Sequence, residues 1–106
     1  MAYFYEVSFD LDHHQLEQIR IGRSLEKVIG FMRVLLPEQA GFISANALYE
    51  VKSSTRPRLV FISEWENWED LENHSHSSLV EDKLLLEFSP HIQNENLEKR
   101  IYREVE

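Results

Sequence analysis

Two hydrophobic periodicities alternate along the chain and divide it into strands and helices. Four stretches alternate apolar and polar side chains, or hold a short apolar run, as β-strands do: residues 3–10, 42–51, 58–65 and 97–106. Three other stretches repeat apolar residues every three or four positions, as amphipathic helices do: residues 13–36, 68–76 and 78–88. The order of these segments predicts a βαββαβ chain whose second helical region is in two pieces.

The long first helix has a clear end and an ambiguous start. Pro37 disfavours the α conformation at Leu36, so we expect the helix to end there. Gly22 lies inside the pattern, and Ser24 offers a side chain that can cap a helix. We therefore expect an irregular lead-in over residues 13–23 and a firm helix from Ser24 onward.

Side-chain caps are predicted at the start of both later helical pieces. Asn67 precedes Asp70 by three positions, which is close to a capping box. Ser78 and Glu81 have the same spacing and spell a second capping box. This second box is expected to restart the helix and carry it to residue 88.

The segment order predicts an α+β fold with a four-stranded antiparallel sheet and both helical regions on one face. Residues 42–51 and 58–65 should pair as a hairpin through the polar turn at 52–57. Residues 59–62 are four consecutive apolar side chains, typical of a strand that is buried on both faces. Two helices cover only one face of a sheet, so we expect a homodimer that covers the other.

Composition and charge narrow the class of protein. The 106 residues predict one domain spanning residues 1–106. The net charge of −8 has no basic stripe to offset it, so nucleic acids and anionic membranes are not expected partners. The absence of Cys excludes disulfides and thiolate chemistry. The start MAYFYEVSFD has no basic n-region and carries Glu6 and Asp10, so we do not expect it to be a signal peptide. No apolar run approaches the roughly 18 residues of a membrane span, so a cytoplasmic location is expected.

Trp65 and His74 form the candidate site. Trp65 closes the third predicted strand, and His74 lies nine residues later, three positions after the apolar Leu71 in the next helix. An indole at a strand end and an imidazole on the inner face of a helix can therefore line one cavity. The structural alternative is a packed core tryptophan and a histidine that is hydrogen-bonded to the main chain or to Glu64, Asp70 or Glu72.

The segment FISEWENWEDLENHSHSSL, which contains both residues, resembles the W-x-(D/E)…L-x-x-H segment of the antibiotic biosynthesis monooxygenase family. Ala40, Gly41 and Phe42 resemble the glycine-containing turn that follows the first helix of that family. As an order of elements, the resemblance covers nearly the whole chain. It implies a ferredoxin-like βαββαβ protomer that pairs into a dimeric α+β barrel.

The resemblance also implies an activity: a cofactor-independent monooxygenase that oxidises an aromatic or quinol-like small molecule with O2. In this hypothesis His74 is the general base, kept neutral by burial, and Trp65 is a wall of the cavity. The predicted substrate-binding residues are Tyr5, Phe61, Ser63 and Leu71. A hydrogen bond to a substrate oxygen would come from the hydroxyl of Tyr5, Tyr49, Tyr102 or Ser63. No cofactor is expected.

Alternatives stay open, since the family is functionally mixed. A non-catalytic, small-molecule-binding or stress-associated dimer of the same fold would carry the same residues. Haem binding or degradation fits less well, because haem-cleaving proteins of this fold have an Asn near the end of the first strand and residues 3–10 contain none. A metal site is not expected, because His74 and His76 are two positions apart and point in different directions on a helix.

Overall fold

The computed structural model describes residues 2–11, 19–50, 58–88, 92 and 96–105. This part of the chain contains four strands and three helices: β1 (Tyr3–Asp10), α1 (Ile19–Leu35), β2 (Phe42–Tyr49), β3 (Arg58–Trp65), α2 (Trp68–Ser77), α3 (Leu79–Phe88) and β4 (Glu98–Arg103). The predicted order of elements is confirmed, and β1 and β3 have the predicted bounds.

The strands form one antiparallel sheet in the order β2-β3-β1-β4. The central strands β1 and β3 pair along their whole length, from Tyr3 opposite Trp65 to Asp10 opposite Arg58. The second helical region breaks between α2 and α3 at Ser78, which has a left-handed backbone with a φ of 54°. The chain therefore has the predicted α+β, ferredoxin-like architecture.

The hydrophobic core lies between the sheet and the helices. The sheet contributes alternate side chains of its two central strands, all nearly inaccessible to solvent: Tyr5, Val7, Phe9, Leu59, Phe61 and Trp65. The helices cover them with a second set of buried side chains: Val28, Met32, Leu71, Leu84 and Phe88. Every second residue of the two strands points to this core and the rest point away. Among the residues that point away, Glu6 and Ser8 of β1 are also buried.

The opposite face of the sheet, here called the open face, carries no helix. Val60 and Ile62 of β3 point to it and are only half-buried. The strand register places Phe4, Leu48 and Tyr102 on the same face. In the single chain β3 is therefore buried on one face, and the predicted burial on both faces depends on a partner.

The structure corrects the prediction for the start of α1. Ser24 lies inside the helix, and its hydroxyl donates a hydrogen bond of 2.8 Å to the carbonyl of Glu87 in α3. The N-cap prediction is therefore wrong, and residues 19–23 of the expected lead-in are helical. The rest of that lead-in lies outside the described residues. The helix ends at Leu35, and Pro37 sits in a 3-10 turn over Leu36–Glu38.

Two strands are shorter than predicted. β2 ends at Tyr49, and β4 covers only Glu98–Arg103, with all six residues exposed. Val51 and the predicted turn at 52–57 lie outside the described residues. Among the helices that the structure describes, none has the length and apolar character to cross a membrane.

Candidate functional site

The connection from β3 to α2 positions the two candidate residues. Trp65 is the last residue of β3, and α2 begins three residues later at Trp68. The Asn67 side chain accepts a hydrogen bond of 3.0 Å from the Asp70 amide, and its Nδ2 donates to Asp70 Oδ2 at 2.9 Å. This confirms the predicted cap. It fixes the rotation of α2, so that Leu71 and His74 are the residues that it buries.

Gly41 holds the start of β2 against the same connection. Its φ of 77° lies in the left-handed region, where a residue without a side chain is favoured. Its carbonyl accepts a hydrogen bond of 2.8 Å from the Glu66 amide. The side chain of Asp70 occupies the space that a Cβ at this position would need. The glycine therefore allows β2, β3 and α2 to meet at one corner.

His74 packs between two aromatic rings. Its imidazole stacks on the Trp65 indole with ring centroids 4.5 Å apart and an angle of 26°, and it meets the Tyr5 ring edge-on at 5.5 Å. The residue is 3% exposed, and neither ring nitrogen has a hydrogen-bond partner within the described chain. The predicted structural alternative, a histidine hydrogen-bonded to the main chain or to Glu64, Asp70 or Glu72, is therefore wrong.

The environment of His74 favours the neutral imidazole. Burial lowers its pKa to about 4, because the charged form loses its hydration in the core. A neutral imidazole has one N–H donor and one nitrogen acceptor. Both are unsatisfied here, and leaving buried polar groups unpaired is costly. The ring therefore lacks the hydrogen-bond partners that a polar ligand atom could supply if it reached either buried nitrogen.

Glu81 is a functional candidate that the sequence prediction missed. The Tyr5 hydroxyl donates a hydrogen bond of 3.1 Å to its Oε1, and the residue is 2% exposed. Burial raises the pKa of Glu81, and the hydrogen bond from Tyr5 and the charge of Lys99 offset only part of that effect. The side chain thus points into the core and does not close the capping box predicted with Ser78, although α3 begins where expected.

The hydroxyl groups proposed as ligand donors are already engaged in the described chain or lie elsewhere. Burial and the neighbouring Glu81 carboxyl raise the pKa of Tyr5. Ser63 Oγ accepts a bond of 2.8 Å from Trp65 Nε1 and donates to the Tyr5 carbonyl at 3.5 Å, so it orients the indole. Tyr102 bonds to Glu6 at 2.9 Å on the open face, and Tyr49 is exposed.

Phe61 and Leu71, the other two predicted substrate-binding residues, are core residues. Phe61 stacks on Phe9 with ring centroids 6.2 Å apart, and Leu71 is fully buried. Neither residue lines the cavity beside His74 or the cavity between α1 and β2. The structure therefore brings Trp65, His74, Tyr5 and Ser63 together, whereas Phe61 and Leu71 serve as packing residues of the hydrophobic core.

A cavity of about 220 Å³ opens beside His74 and Trp65 and is completed by Gln39, Ala40, Asp70 and Asn73. This volume lies below the usual range for drug-sized ligands and suits a small, flat molecule. Phe42 packs edge-on against the Trp65 ring at 5.6 Å and lines a second, larger cavity. The candidate site is therefore a compact aromatic pocket with one unsatisfied imidazole.

Comparison with known proteins gives a fold and no close relative. No protein-family model matches the chain. No curated protein matches it in sequence.

Solved structures of similar shape cover almost the whole chain. A conserved protein from Methanosarcina mazei Go1 has a TM-score of 0.65 and 15% identity, covering 99% of this chain and 94% of its own. A Bacillus cereus protein, provisionally described as an antibiotic biosynthesis monooxygenase, has a TM-score of 0.62 and 20% identity, with coverages of 95% and 90%. SnoaB, a cofactor-independent oxygenase from Streptomyces nogalater, has a TM-score of 0.61 and 12% identity, with coverages of 99% and 93%. At these identities the likeness shows a shared fold, and a fold alone does not specify an activity.

Proposed function

We propose that this protein is a small cofactor-independent monooxygenase that oxidises an aromatic or quinol-like molecule with O2. The observation that carries the proposal is His74, a buried, neutral imidazole with both nitrogens unsatisfied, stacked on Trp65 at the wall of a cavity. SnoaB, which shares the fold, is a cofactor-independent oxygenase. This likeness supports the choice of reaction, while the role of each residue rests on the geometry of this chain.

In the proposed reaction, His74 removes the proton from a phenolic hydroxyl of the substrate. The resulting phenolate is rich in electrons and passes one to O2, after which the two radicals combine at a ring carbon. One oxygen atom stays on the ring as the new quinone oxygen, and the other leaves as water. The substrate supplies all the electrons, so a hydroxyarene and O2 give a quinone and water without an external reductant.

Because His74 is a weak base, the proton transfer requires a phenol that is in direct contact with the imidazole and shielded from water. A phenol has a pKa of about 10, so transfer to an imidazole with a pKa of about 4 is uphill by about 8 kcal/mol for separated groups. Contact between phenolate and imidazolium in a dry cavity recovers much of this energy. The face of Trp65, 4.5 Å from His74, would stabilise the imidazolium further by a cation–π interaction.

A non-catalytic binding protein is the second candidate function. It is favoured by the hydroxyls of Tyr5 and Ser63, which are already bonded inside the protein and leave no obvious donor for a substrate oxygen. Haem is disfavoured, because a cavity of about 220 Å³ beside His74 is too small to enclose a macrocycle. The two surviving candidates differ in whether O2 is consumed.

We also propose that the protein acts as a homodimer joined through the open face. The apolar side chains Phe4, Leu48, Val60 and Ile62 share that face with a polar cluster. In the cluster, Tyr102 and Ser8 donate to Glu6 at 2.9 and 3.1 Å, and Arg58 donates to Ser8 at 2.8 Å. Because these polar groups are paired already, a second copy can cover them without leaving them unsatisfied.

The test is O2 consumption with a panel of hydroquinones and naphthols, in the absence of added metal or flavin. We expect turnover by the wild type and a loss of roughly 100-fold or more in His74→Ala, the size of a general-base contribution. His76→Ala is the matched control, because His76 lies on the same helix but is exposed. No O2 uptake by the wild type across the panel would favour the binding protein. Uptake that survives His74→Ala would remove His74 from the mechanism.

A further inference from the structure

The cavity that Phe42 lines lies between α1 and the edge strand β2, on the other side of Phe42 from the His74 site. Its volume of about 450 Å³ is within the range of small-molecule sites. Ile29 and Met32 of α1, together with Pro37 and Phe42, give it apolar walls. These walls suit a flat hydrophobic ring.

Arg33 is the one charged residue among the described residues that line this cavity. It is exposed, and no carboxylate of the described chain forms an ion pair with it. Four other cations of the described chain are in ion pairs: Lys27 and Lys83 bind Glu87, and Arg58 and Arg100 bind Glu98. Arg23, Lys99 and Arg103 form no ion pair with a described residue, but they do not line this cavity. The chain has a net charge of −8. An arginine that no carboxylate neutralises, beside an apolar cavity, can therefore bind the negatively charged group of a ligand.

The polar residues of β2 at this cavity point away from its apolar walls. Ser44 and Asn46 pair with Glu64 and Ile62, so their side chains lie on the open-face side of the edge strand. The Ser44 hydroxyl also donates a hydrogen bond of 3.3 Å to Glu64. Among the described lining residues, the free polar group on the side of the apolar walls is therefore the Arg33 guanidinium.

We propose that this cavity binds a planar aromatic acid, with its acidic group on Arg33 and its ring between Met32 and Phe42. The guanidinium binds a carboxylate or sulfonate in a two-point geometry that a lysine does not offer. The arrangement selects for one negative charge on a flat ring and against neutral molecules of the same shape.

The cavity also adjoins the candidate catalytic residues. Phe42 lines the cavity and meets the Trp65 ring at 5.6 Å, and Trp65 stacks on His74 at 4.5 Å. A ring that rests on Phe42 is therefore next to the wall of the His74 pocket. The inference that the bound acid is also the substrate rests on the proposed function. The inference that the cavity binds the acid does not depend on that function.

A purely structural role for Arg33 is the competing explanation. Arg33 lies in the last turn of α1, where a positive charge interacts favourably with the helix dipole. Such a role would change the melting temperature on substitution and would leave ligand binding unchanged. Binding measurements therefore separate the two explanations.

The experiment compares two fluorescent probes with the same rings and different charge: 8-anilinonaphthalene-1-sulfonate and the neutral N-phenyl-1-naphthylamine. We expect the wild type to prefer the sulfonate by about tenfold, and Arg33→Gln to remove that preference while leaving the affinity for the neutral amine unchanged. Arg23→Gln is the matched control, because Arg23 is an exposed arginine of the same helix and does not line the cavity. Circular dichroism verifies that each variant is folded.

Two more variants locate the probe. Ala47→Phe places a ring in the cavity and is expected to abolish binding of both probes, because Ala47 lines the cavity. His74→Ala is expected to leave binding of the sulfonate unchanged, so failure of the catalytic hypothesis and failure of this one give different results. Equal affinity of the sulfonate for wild type and Arg33→Gln, or binding that survives Ala47→Phe, would overturn the proposal.

Discussion

The hydroxyl of Tyr5 and the carboxyl of Glu81 form a hydrogen bond of 3.1 Å across 76 positions of sequence, inside the core. The bond joins the first strand to the last helix. It also leaves Glu81 Oε2 buried and without a partner in the described chain. A buried carboxylate in this position destabilises the fold unless it binds a proton.

Replacing Glu81 with Gln should therefore stabilise the protein at alkaline pH. The amide keeps an oxygen that accepts from Tyr5 and removes the charge. Because the folded-state pKa of Glu81 is raised, the penalty is absent below its unfolded pKa and grows as the pH rises toward the folded value. We expect the melting temperature of Glu81→Gln to exceed that of the wild type by roughly 4 °C or more at pH 8, and the difference to vanish near pH 4.

The control for this prediction is Glu81→Ala, which removes the charge and also the acceptor. It should be less stable than Glu81→Gln by roughly 1–3 kcal/mol, because the Tyr5 hydroxyl then lacks a partner. A melting temperature of Glu81→Gln that lies below the wild type at pH 8 would show that the ionised carboxylate is stabilising.

His74 should destabilise the fold as the pH falls. Its pKa is about 4 in the folded state, below the ordinary value of 6.5, so the unfolded chain binds the proton first. The penalty is absent above pH 6.5 and grows between there and about pH 4, reaching on the order of 2 kcal/mol once some water penetration is allowed for. His74→Phe, which keeps a ring on Trp65, should lack this dependence.

Urea unfolding of wild type and His74→Phe at pH 7 and pH 4.5 measures this effect. The quantity to compare is the difference in the free energy of unfolding between the two proteins at each pH. Glu81 titrates in the opposite direction, but it contributes equally to both proteins and cancels in this difference. Parallel stability curves over this pH range would mean that His74 is solvated or paired in solution, and the argument for a neutral base would fail.

Gly41 and Gly30 should respond to alanine with opposite signs. Alanine at position 41 would need a left-handed backbone and would meet the Asp70 side chain, whose Cβ is 2.7 Å from the new methyl group, at a cost of about 2 kcal/mol or more. Gly30 lies inside α1 with nothing within 4 Å of a new methyl group, so alanine there should stabilise by roughly 0.5–1 kcal/mol. Thermal unfolding of the two variants gives the comparison, and a neutral Gly41→Ala would refute the steric account of this corner.

Ile62→Lys should convert the protein to a monomer if the open face is the dimer interface. Ile62 lies on a central strand of that face, and a hydrated ammonium group there opposes a face-to-face contact even with Glu6 as its cross-strand neighbour. Leu86→Lys is the control, because Leu86 is 72% exposed on a helix. Light scattering after size-exclusion chromatography measures the mass. A wild type that is monomeric, or an Ile62→Lys variant that is still dimeric, contradicts the proposed interface.

Local patterns predicted those parts of the fold that local chemistry decides. The bounds of β1 and β3, the Asn67 cap and the glycine at position 41 all appear as expected, because each depends on neighbours a few positions away. The sequence also predicted that His74 and Trp65 lie close together, because the end of β3 and the cap of α2 fix the positions of both residues.

The errors involve side chains whose partners are distant in sequence. Ser24 looked like a cap, but its hydroxyl bonds to the Glu87 carbonyl 63 positions away. Glu81 looked like half of a capping box, but Tyr5 is its partner. In both cases the residue type and spacing fit a local role as a helix cap. Only the packing of α3 against α1 and β1 reveals the distant hydrogen-bond partner.

The irregularity in β2 restricts how the length of this strand can vary in related proteins. Phe42 pairs with Trp65 and Ser44 pairs with Glu64, so Ile43 is an extra residue, a β-bulge, with no residue paired to it on β3. Loss of Ile43 would leave a regular strand in which every other side chain keeps its face. Loss of any one residue between Ala45 and Leu48 would exchange the two faces for part of the strand, moving cavity-lining side chains to the open face. We therefore expect single-residue gaps in relatives that keep both surfaces to fall at position 43.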